Sequence, residues 1–489
     1  MAFVIGIDSS TQSTKAELRD VDTGALIATG RSAHPPTNPP VSEQEPTAWW
    51  DALVDAVGQL GEYRRDVVAI SVAGQQHGMV LLDHDDNSLR PAKLWNDTTS
   101  ASNAAQLVAE LGVDWWIASA GVVPVAAFTI SKLAWVSEHE PELLDRVAKV
   151  MLPHDYLTYC LSGQHVTDRG DASGSGWYDA TSDSILEQPL QRATNGGTGW
   201  VERVPRVLGP AEPAGELISS VAAELGLPEG VIVGPGTGDN MGAALGLGLA
   251  TGDAVMSLGT SGTVYARTNE RSADSSGAVA GFSDATGQYL PLACTLNATK
   301  VTDTVAGWLG VDAPGLAALA LEAGNSPISA ALVPYFDGER TPNRPNAKGL
   351  MVGLTNTTSR QELARAAHDG VVCGLLDGLS ALEATGADMD GRLLLTGGGA
   401  KSAAYRQRLA DIAERPVHVP ENDESVALGA AIQAAVVHAG STDFDAQAEA
   451  WDVARSMVTE PSDGTDGRAV REQYSAASSF DDGLCRPTV

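Results

Sequence analysis

Basic residues are scarce in this 489-residue chain. Only 31 Lys and Arg stand against 62 Asp and Glu, a formal charge of −31. Nucleic acid and anionic membrane surfaces require basic patches, so this balance excludes both as principal partners. A small anionic ligand stays compatible, because a local field can oppose the net charge. Cysteine is also scarce. Cys160, Cys294, Cys373 and Cys485 lie far apart with no Cys-x-x-Cys pair. That speaks against a disulfide framework and reads as free thiols in a reducing cytosol. No His-Glu-x-x-His spacing occurs, and no histidine accompanies a cysteine pair, so a zinc site is not expected. Long apolar runs are missing too. The most apolar stretch, Met241 to Gly259, is interrupted by glycines and Asp253 and reads as a packed helix and strand. The first residues carry neither a basic region nor a long apolar core, so no secretory signal is expected and the location is expected to be cytoplasmic.

What is present is a long alternation of strand-like and helix-like runs, enough for two or three domains. Phe3 to Ile7 reads as a buried strand, Ala16 to Arg19 as its hairpin partner and Ala25 to Arg31 as a third strand. The segment His34 to Pro40 must be a loop because of its prolines. Pro46 to Leu60 has helical apolar spacing, and Val67 to Val72 is a β-branched run. Gly163 to Gly199 reads as turns and short strands beside a cleft. Near Thr251 the opening arrangement restarts, with strands at Ala254 to Leu258 and Thr263 to Arg267, which points to two similarly built halves. A long helix from Arg360 to Thr385, a strand at Arg392 to Leu395 and a helix from Glu424 to His438 continue the pattern. The whole predicts α/β layers with parallel strands. The acidic tail, Asp443 to Val489, is expected to fray after a peripheral helix.

Several loops could carry chemistry. GIDSSTQSTK, Gly6 to Lys15, delivers Asp8 to a turn crowded with hydroxyls. Such a tip can hold phosphate oxygens and a cation, and reads equally well as a polar turn. GPGTGDN brings Asp239 through three glycines to a helix start. Asp239 alone is a good N-cap, but a cap needs no glycine-rich approach, and open α/β sheets bind ligands beyond their strand ends. SLGTSG (Ser257 to Gly262) and TGGGAKS (Thr396 to Ser402) are further Gly and hydroxyl turns. The triple glycine would let a flat ligand rest on backbone beside a helix N-terminus. AGQQHGMV places Gln76 and His77 at a strand end, where both can hydrogen-bond sugar hydroxyls. LWND offers Trp95 and Asp97, the latter also a plausible cap for the following helix.

These motifs, with GERTP at Gly338 to Pro342, stand in the order found in the FGGY family of carbohydrate kinases, and the resemblance covers nearly the whole chain. Phe128 to His139, FTISKLAWVSEH, resembles the family's first signature. GQQHG followed by LWND, and GERTPNRPNAKG at 338–349, most resemble members acting on D-xylulose. The resemblance implies an α/β fold of two actin-like, ribonuclease-H-like ATPase domains with a cleft between them. Residues 1–247 would form the sugar side and 248–489 the nucleotide side. It implies ATP-dependent phosphorylation of D-xylulose at O5, with ATP and Mg²⁺ as cofactors, and a possible homodimer. By matching position, Asp239 resembles the catalytic base and Asp8 the metal and phosphate acid, both facing the metal. Gln76, His77 and Gly78 match the substrate-binding loop, and Asn240 also faces the sugar. Gln76 stands where such members often have Met. Thr11, Thr260, Gly398, Gly399 and Ala400 match nucleotide contacts. Rival readings are another kinase of the same family, for ribulose, gluconate or glycerol, or an actin-like or chaperone-type ATPase that transfers nothing to a sugar.

Overall fold

The computed structural model describes residues 1–480; Cys485 lies outside them. Two seven-stranded sheets carry the fold. In the first, Phe3–Ser9, Ser13–Asp20 and Leu26–Ala33 form an antiparallel meander. Val67–Gly74 lies parallel beside Phe3–Ser9, Ile232–Val233 lies parallel beside that, and Gly215–Glu216 closes the edge antiparallel. The second sheet repeats the plan. Ala254–Leu258, Gly262–Ala266 and Tyr289–Thr295 form the meander. Leu393–Thr396 and Val417–Pro420 follow in parallel, and Ser456–Thr459 closes the edge antiparallel. The second sheet has one addition, Val279–Ser283, outside Tyr289–Thr295. The two-domain α/β architecture and its repeated halves match the expectation. The sheets are mixed, however. Parallel pairing is confined to the inner strands of each, with the short strand Thr237–Gly238 also parallel to Val67–Gly74 in the first, because the meanders turn through tight hairpins that only antiparallel strands allow.

The tail corrects the sequence reading. Asp443 to Ser478 does not fray. Phe444–Ala450 is a helix with Phe444 buried, Ser456–Thr459 is the edge strand just described, and Gly467–Ser478 is a helix that buries Tyr474 and Ala477. The acidic composition hid a few well-spaced apolar anchors. Other elements follow local rules. Arg360–Glu383 starts at a capping box, in which Ser359 and Glu362 bond each other's backbone N–H groups at 3.2 and 2.7 Å. The stretch Met241 to Gly259 is indeed a helix followed by a strand. Among the described residues no single helix is long and apolar enough to cross a membrane.

Two helices join the sheets, Asp239–Gly246 and Ser425–His438. One hydrophobic cluster runs from Val4 and Ala69 of the first sheet, through Met241, Leu245, Leu428 and Ile432, to Val255 and Leu394 of the second. Ser425–His438 is apolar on every face, as a helix between layers must be. Its approach is very close. A Cβ at Gly429 would fall on the Gly242 carbonyl, one at Gly246 on the Ser425 carbonyl, and one at Gly6 on the Ala427 carbonyl. A methyl at Gly429 must therefore push the helices apart. Gly429→Ala is expected to destabilise the protein by about 2 kcal/mol or more. Gly307→Ala, in the exposed interior of the helix Thr299–Leu309 with open space around it, should be neutral or stabilising by up to ~1 kcal/mol. Chemical denaturation of both variants measures the contrast.

Candidate active site

Strand ends bring the candidate residues together. Asp8 pairs with Ala73 in the parallel register, and Thr237 and Gly238 pair with Ala73 and Gly74 of the same central strand. Asp8, the loop Gln75 to Gly78 and Asp239 thus leave the first sheet at one edge. Asp239 is the first residue of its helix and Gly238 the cap, so its carboxylate does not serve as an N-cap. Behind it, Thr237 Oγ1 donates to Asp168 Oδ2 at 2.8 Å. Asp168 belongs to a buried cluster in which His154 Nε2 lies 3.1, 3.2 and 3.5 Å from Asp155, Asp168 and Asp171. Burial opposes the imidazole's charge, yet those carboxylates lift it to about 9. This ionic knot ties the Asp239 strand to the elements beneath.

Asp239 is poised to change protonation near neutrality. Burial, and after it the charge of Asp8, raise its carboxyl to about 7, against hydrogen bonds from the Asn240 backbone at 2.8 Å and side chain at 3.0 Å. Asp8 is raised by burial to about 6, against the nearby Lys15 ammonium at 3.5 Å. Lys15 also pairs with Glu424, just before the crossing helix. Asn240 Nδ2 reaches Gln76 Oε1 at 2.8 Å, so the amide pair couples Gln76 to Asp239. His77 takes a left-handed φ of 64°, uncommon for a side-chain-bearing residue and characteristic of functional turns. Its ring packs between Phe128 and Phe282 at centroid distances of 4.8 and 5.4 Å. Burial, then the charges of Lys132 and Arg340, hold the imidazole well below its ordinary range, hence neutral.

Two cavities meet at Asp239 and Asn240. One, of about 180 Å³, is lined by Gln76, His77, Trp95, Phe128, Phe282 and Arg340 among others. The larger, of about 740 Å³, runs over Gly398, Ala400, Arg406, Asn422 and Glu424. Both count Asp239 and Asn240 in their walls. Of the three glycines at 397–399, Gly397 (φ 82°) and Gly399 press on Leu258, while a Cβ at Gly398 would meet nothing. Gly398 therefore leaves open backbone where a flat ring can lie.

Among the residues singled out from sequence, Gln76, His77, Asp239 and Asn240 converge on the smaller cavity, and Gly398 and Ala400 line the larger. Gly78 packs on Pro153, and Gly399 sits behind the wall. Thr11 accepts from Trp95 Nε1 at 2.9 Å and donates to Gln75 Oε1 at 3.2 Å, on a third groove beside the opening hairpin. Thr260 is exposed at the tip of the second hairpin. Asp97 does not cap the following helix. It accepts from Ser42 N–H at 2.8 Å and pairs with buried Lys93 at 3.4 Å, anchoring the loop that presents Trp95. Sequence reasoning missed Phe282 and the Lys15–Glu424 pair. Nothing local marks Phe282. Lys15 closes the GIDSSTQSTK run, and its charge was the available signal.

Models of the N-terminal and C-terminal domains of the FGGY family of carbohydrate kinases match residues 3–246 and 254–438. A xylulose kinase of Streptomyces rubiginosus is 47% identical over 460 residues, covering 94% of this chain and 92% of that protein. The crystal structure of xylulose kinase from Bifidobacterium adolescentis has a TM-score of 0.87 at 38% identity, covering 98% of this chain and 99% of that one. Gluconate kinase from Lactobacillus acidophilus has a TM-score of 0.89 at 22% identity over 98% and 97%, a likeness of fold alone.

The raised carboxyl of Asp239 has a consequence for stability. In the unfolded chain it titrates near 3.8 and in the folded protein near 7, so the folded state holds the proton more tightly. The cost of ionising it is absent below the unfolded value, grows as pH rises between the two, and is complete above about 7. Asp239→Asn is thus expected to raise the melting temperature at pH 8, without nucleotide or metal, and the gain should shrink toward pH 4. Melting curves across that range check it; a variant less stable than the parent at pH 8 contradicts the assignment.

Proposed function

The chain belongs to the FGGY family of carbohydrate kinases, and from that premise we propose that it transfers the terminal phosphoryl group of ATP to the O5 hydroxyl of D-xylulose. The observation that carries the reading is the junction of the two cavities: Asp239 and Asn240 belong to both walls, so an acceptor in one and a nucleotide in the other would face each other across a carboxylate. The xylulose kinases at 47% and 38% identity support the choice of sugar.

In this reading Asp239 accepts the proton of the attacking hydroxyl. A sugar hydroxyl is a poor nucleophile, and a base whose carboxyl titrates near 7 combines a useful ionised fraction with proton affinity at neutral pH. Asn240 holds the Asp239 carboxylate and the Gln76 amide in one orientation. That leaves Gln76 Nε2, a buried donor without a partner, free for an acceptor oxygen. His77 is held neutral, and its Nδ1 also lacks a partner. Phe128 and Phe282 exclude water, which would otherwise compete for the phosphoryl group.

The donor set fits Mg²⁺. Asp8 Oδ1 is a buried acceptor with no partner, and a carboxylate is the ligand this hard cation takes. Among the described residues no three Asp, Glu, His or Cys side chains converge on a metal position, as befits an ion held by one or two carboxylates and nucleotide phosphates. When bound, Mg²⁺ neutralises phosphate charge. Asp8 would hold it, with Asp239 nearby, and Lys15 would balance Asp8. The larger cavity would take ATP, with adenine on the open Gly398 backbone. The proposal takes 1–247 as the sugar-side domain and 248–489 as the nucleotide-side domain. It also includes action in a reducing cytosol, supported by the free thiols of Cys160, Cys294 and Cys373.

Coupled ADP release over a panel of sugars tests this. D-xylulose should exceed D-ribulose, gluconate and glycerol in kcat/KM by at least tenfold, about 1.4 kcal/mol. ATP turnover indifferent to any sugar would point instead to an ATPase. Asp239→Ala should fold and lose on the order of 10²–10⁴ of kcat. In the parent, kcat/KM should fall tenfold per unit as pH drops below about 7, where Asp239 protonates.

A further inference from the structure

We propose that Arg340 contacts the acceptor sugar, its guanidinium donating to two neighbouring sugar oxygens in the cavity that Gln76 and His77 also line. The inference rests on the kinase reading above and adds a residue to it. Arg340 is the one Lys or Arg among the described residues lining the smaller cavity. Gln76, His77, Asp239 and Asn240 come from the first half of the chain, whereas Arg340 comes from the second, on the GERTP loop.

That loop is built to hold one shape. The Glu339 carboxylate is buried and accepts from the backbone N–H of Leu296 at 2.6 Å, from Asn297 Nδ2 at 2.9 Å and from the Arg340 N–H at 2.8 Å. Asn297 Nδ2 also donates to the Gly338 carbonyl at 2.6 Å. Glu339 and Arg344 exchange backbone bonds at 2.9 and 2.8 Å across the loop. Three donors on one buried carboxylate fix the backbone of Arg340 firmly.

Its side chain, by contrast, has no carboxylate within ion-pair distance among the described residues. Acids outnumber bases two to one in this chain, and Arg267, Arg271, Arg392 and Arg408 each hold an aspartate. Arg340 differs from the other arginines without an ion pair in lining this cavity. It points into the cavity close enough for its charge to depress the His77 imidazole. Val279, Phe282 and Leu292 add apolar surface to the same lining. A guanidinium offers only donors, in a rigid fork. The complementary ligand presents adjacent acceptors, as the carbonyl and neighbouring hydroxyl of an open-chain ketose do. Gln76 and Asp239 then serve other oxygens, and full sugar binding needs both halves of the molecule.

Steady-state kinetics of Arg340→Met and Arg340→Lys test this, with melting temperature as the control for folding. The KM for D-xylulose should rise on the order of tenfold to a hundredfold in Arg340→Met, with the KM for ATP within twofold of the parent. Arg340→Lys keeps the charge, loses the fork and should fall between. A KM for D-xylulose within twofold of the parent overturns the proposal. So does a loss of kcat at unchanged KM, which would put the guanidinium on the transferring phosphoryl group, or a parallel rise of both KM values. Full restoration by lysine removes the fork from the argument and overturns it as well. A parent that does not turn over D-xylulose counts against the kinase reading alone. The same comparison is then made with the panel sugar that the parent does phosphorylate.

Discussion

The glycine-lined crossing of Asp239–Gly246 with Ser425–His438 is the constraint on which the rest depends. Gly242, Gly246 and Gly429 let the two helices touch backbone to backbone, and Gly6 lets the first strand touch the second of them. Three carboxylates of the site stand a few residues from one of these contacts. Asp8 follows Gly6 by two residues, Asp239 precedes Gly242 by three, and Glu424 precedes Gly429 by five. A crossing that cannot open or slide therefore fixes three carboxylates from distant parts of the sequence in one frame. The hydrophobic cluster that spans both sheets through these helices supplies the free energy to keep it closed.

That frame makes the electrostatics intelligible. Burial in a water-poor cleft raises both Asp239 and Asp8, and the charge of Asp8 raises Asp239 further. Lys15 relieves Asp8 and leaves Asp239 the weaker acid. The division between a cation-facing carboxylate and a proton-accepting one thus follows from where the single lysine sits. The stability lost by ionising Asp239 is the cost of a base near neutrality, and the surrounding knot of His154 and three aspartates holds its strand in place.

Much of this was legible in the sequence, for physical reasons. Each hydroxyl and glycine turn after a short apolar strand reads equally well as a plain turn, and it is the fixed order of the motifs carrying Asp8, Gln76, His77 and Asp239 that identifies the family. The repeat of strand, turn and strand after Thr251 foretold the second sheet. The tail was misread because a strand edge and two helices need only a few anchors, such as Phe444 and Tyr474, and acidic surroundings mask them. Phe282 and the pairing of Lys15 with Glu424 were invisible for another reason. They join residues hundreds of positions apart, which only the folded chain brings near. The GERTP motif was visible, but its division into a buried glutamate that holds the loop and an arginine left free could be read only from the hydrogen bonds.

The central claim is that an acceptor hydroxyl and a nucleotide meet at Asp239. A crystal structure of the protein with D-xylulose, Mg²⁺ and a non-hydrolysable ATP analogue tests it most directly. The account predicts the O5 hydroxyl within hydrogen-bond reach of the Asp239 carboxylate, about 2.6–3.2 Å, with the analogue's terminal phosphate on the other side of that hydroxyl and the cation on Asp8. A sugar whose hydroxyls all lie beyond reach of Asp239, or one that turns O5 toward Asp8 instead, would contradict it.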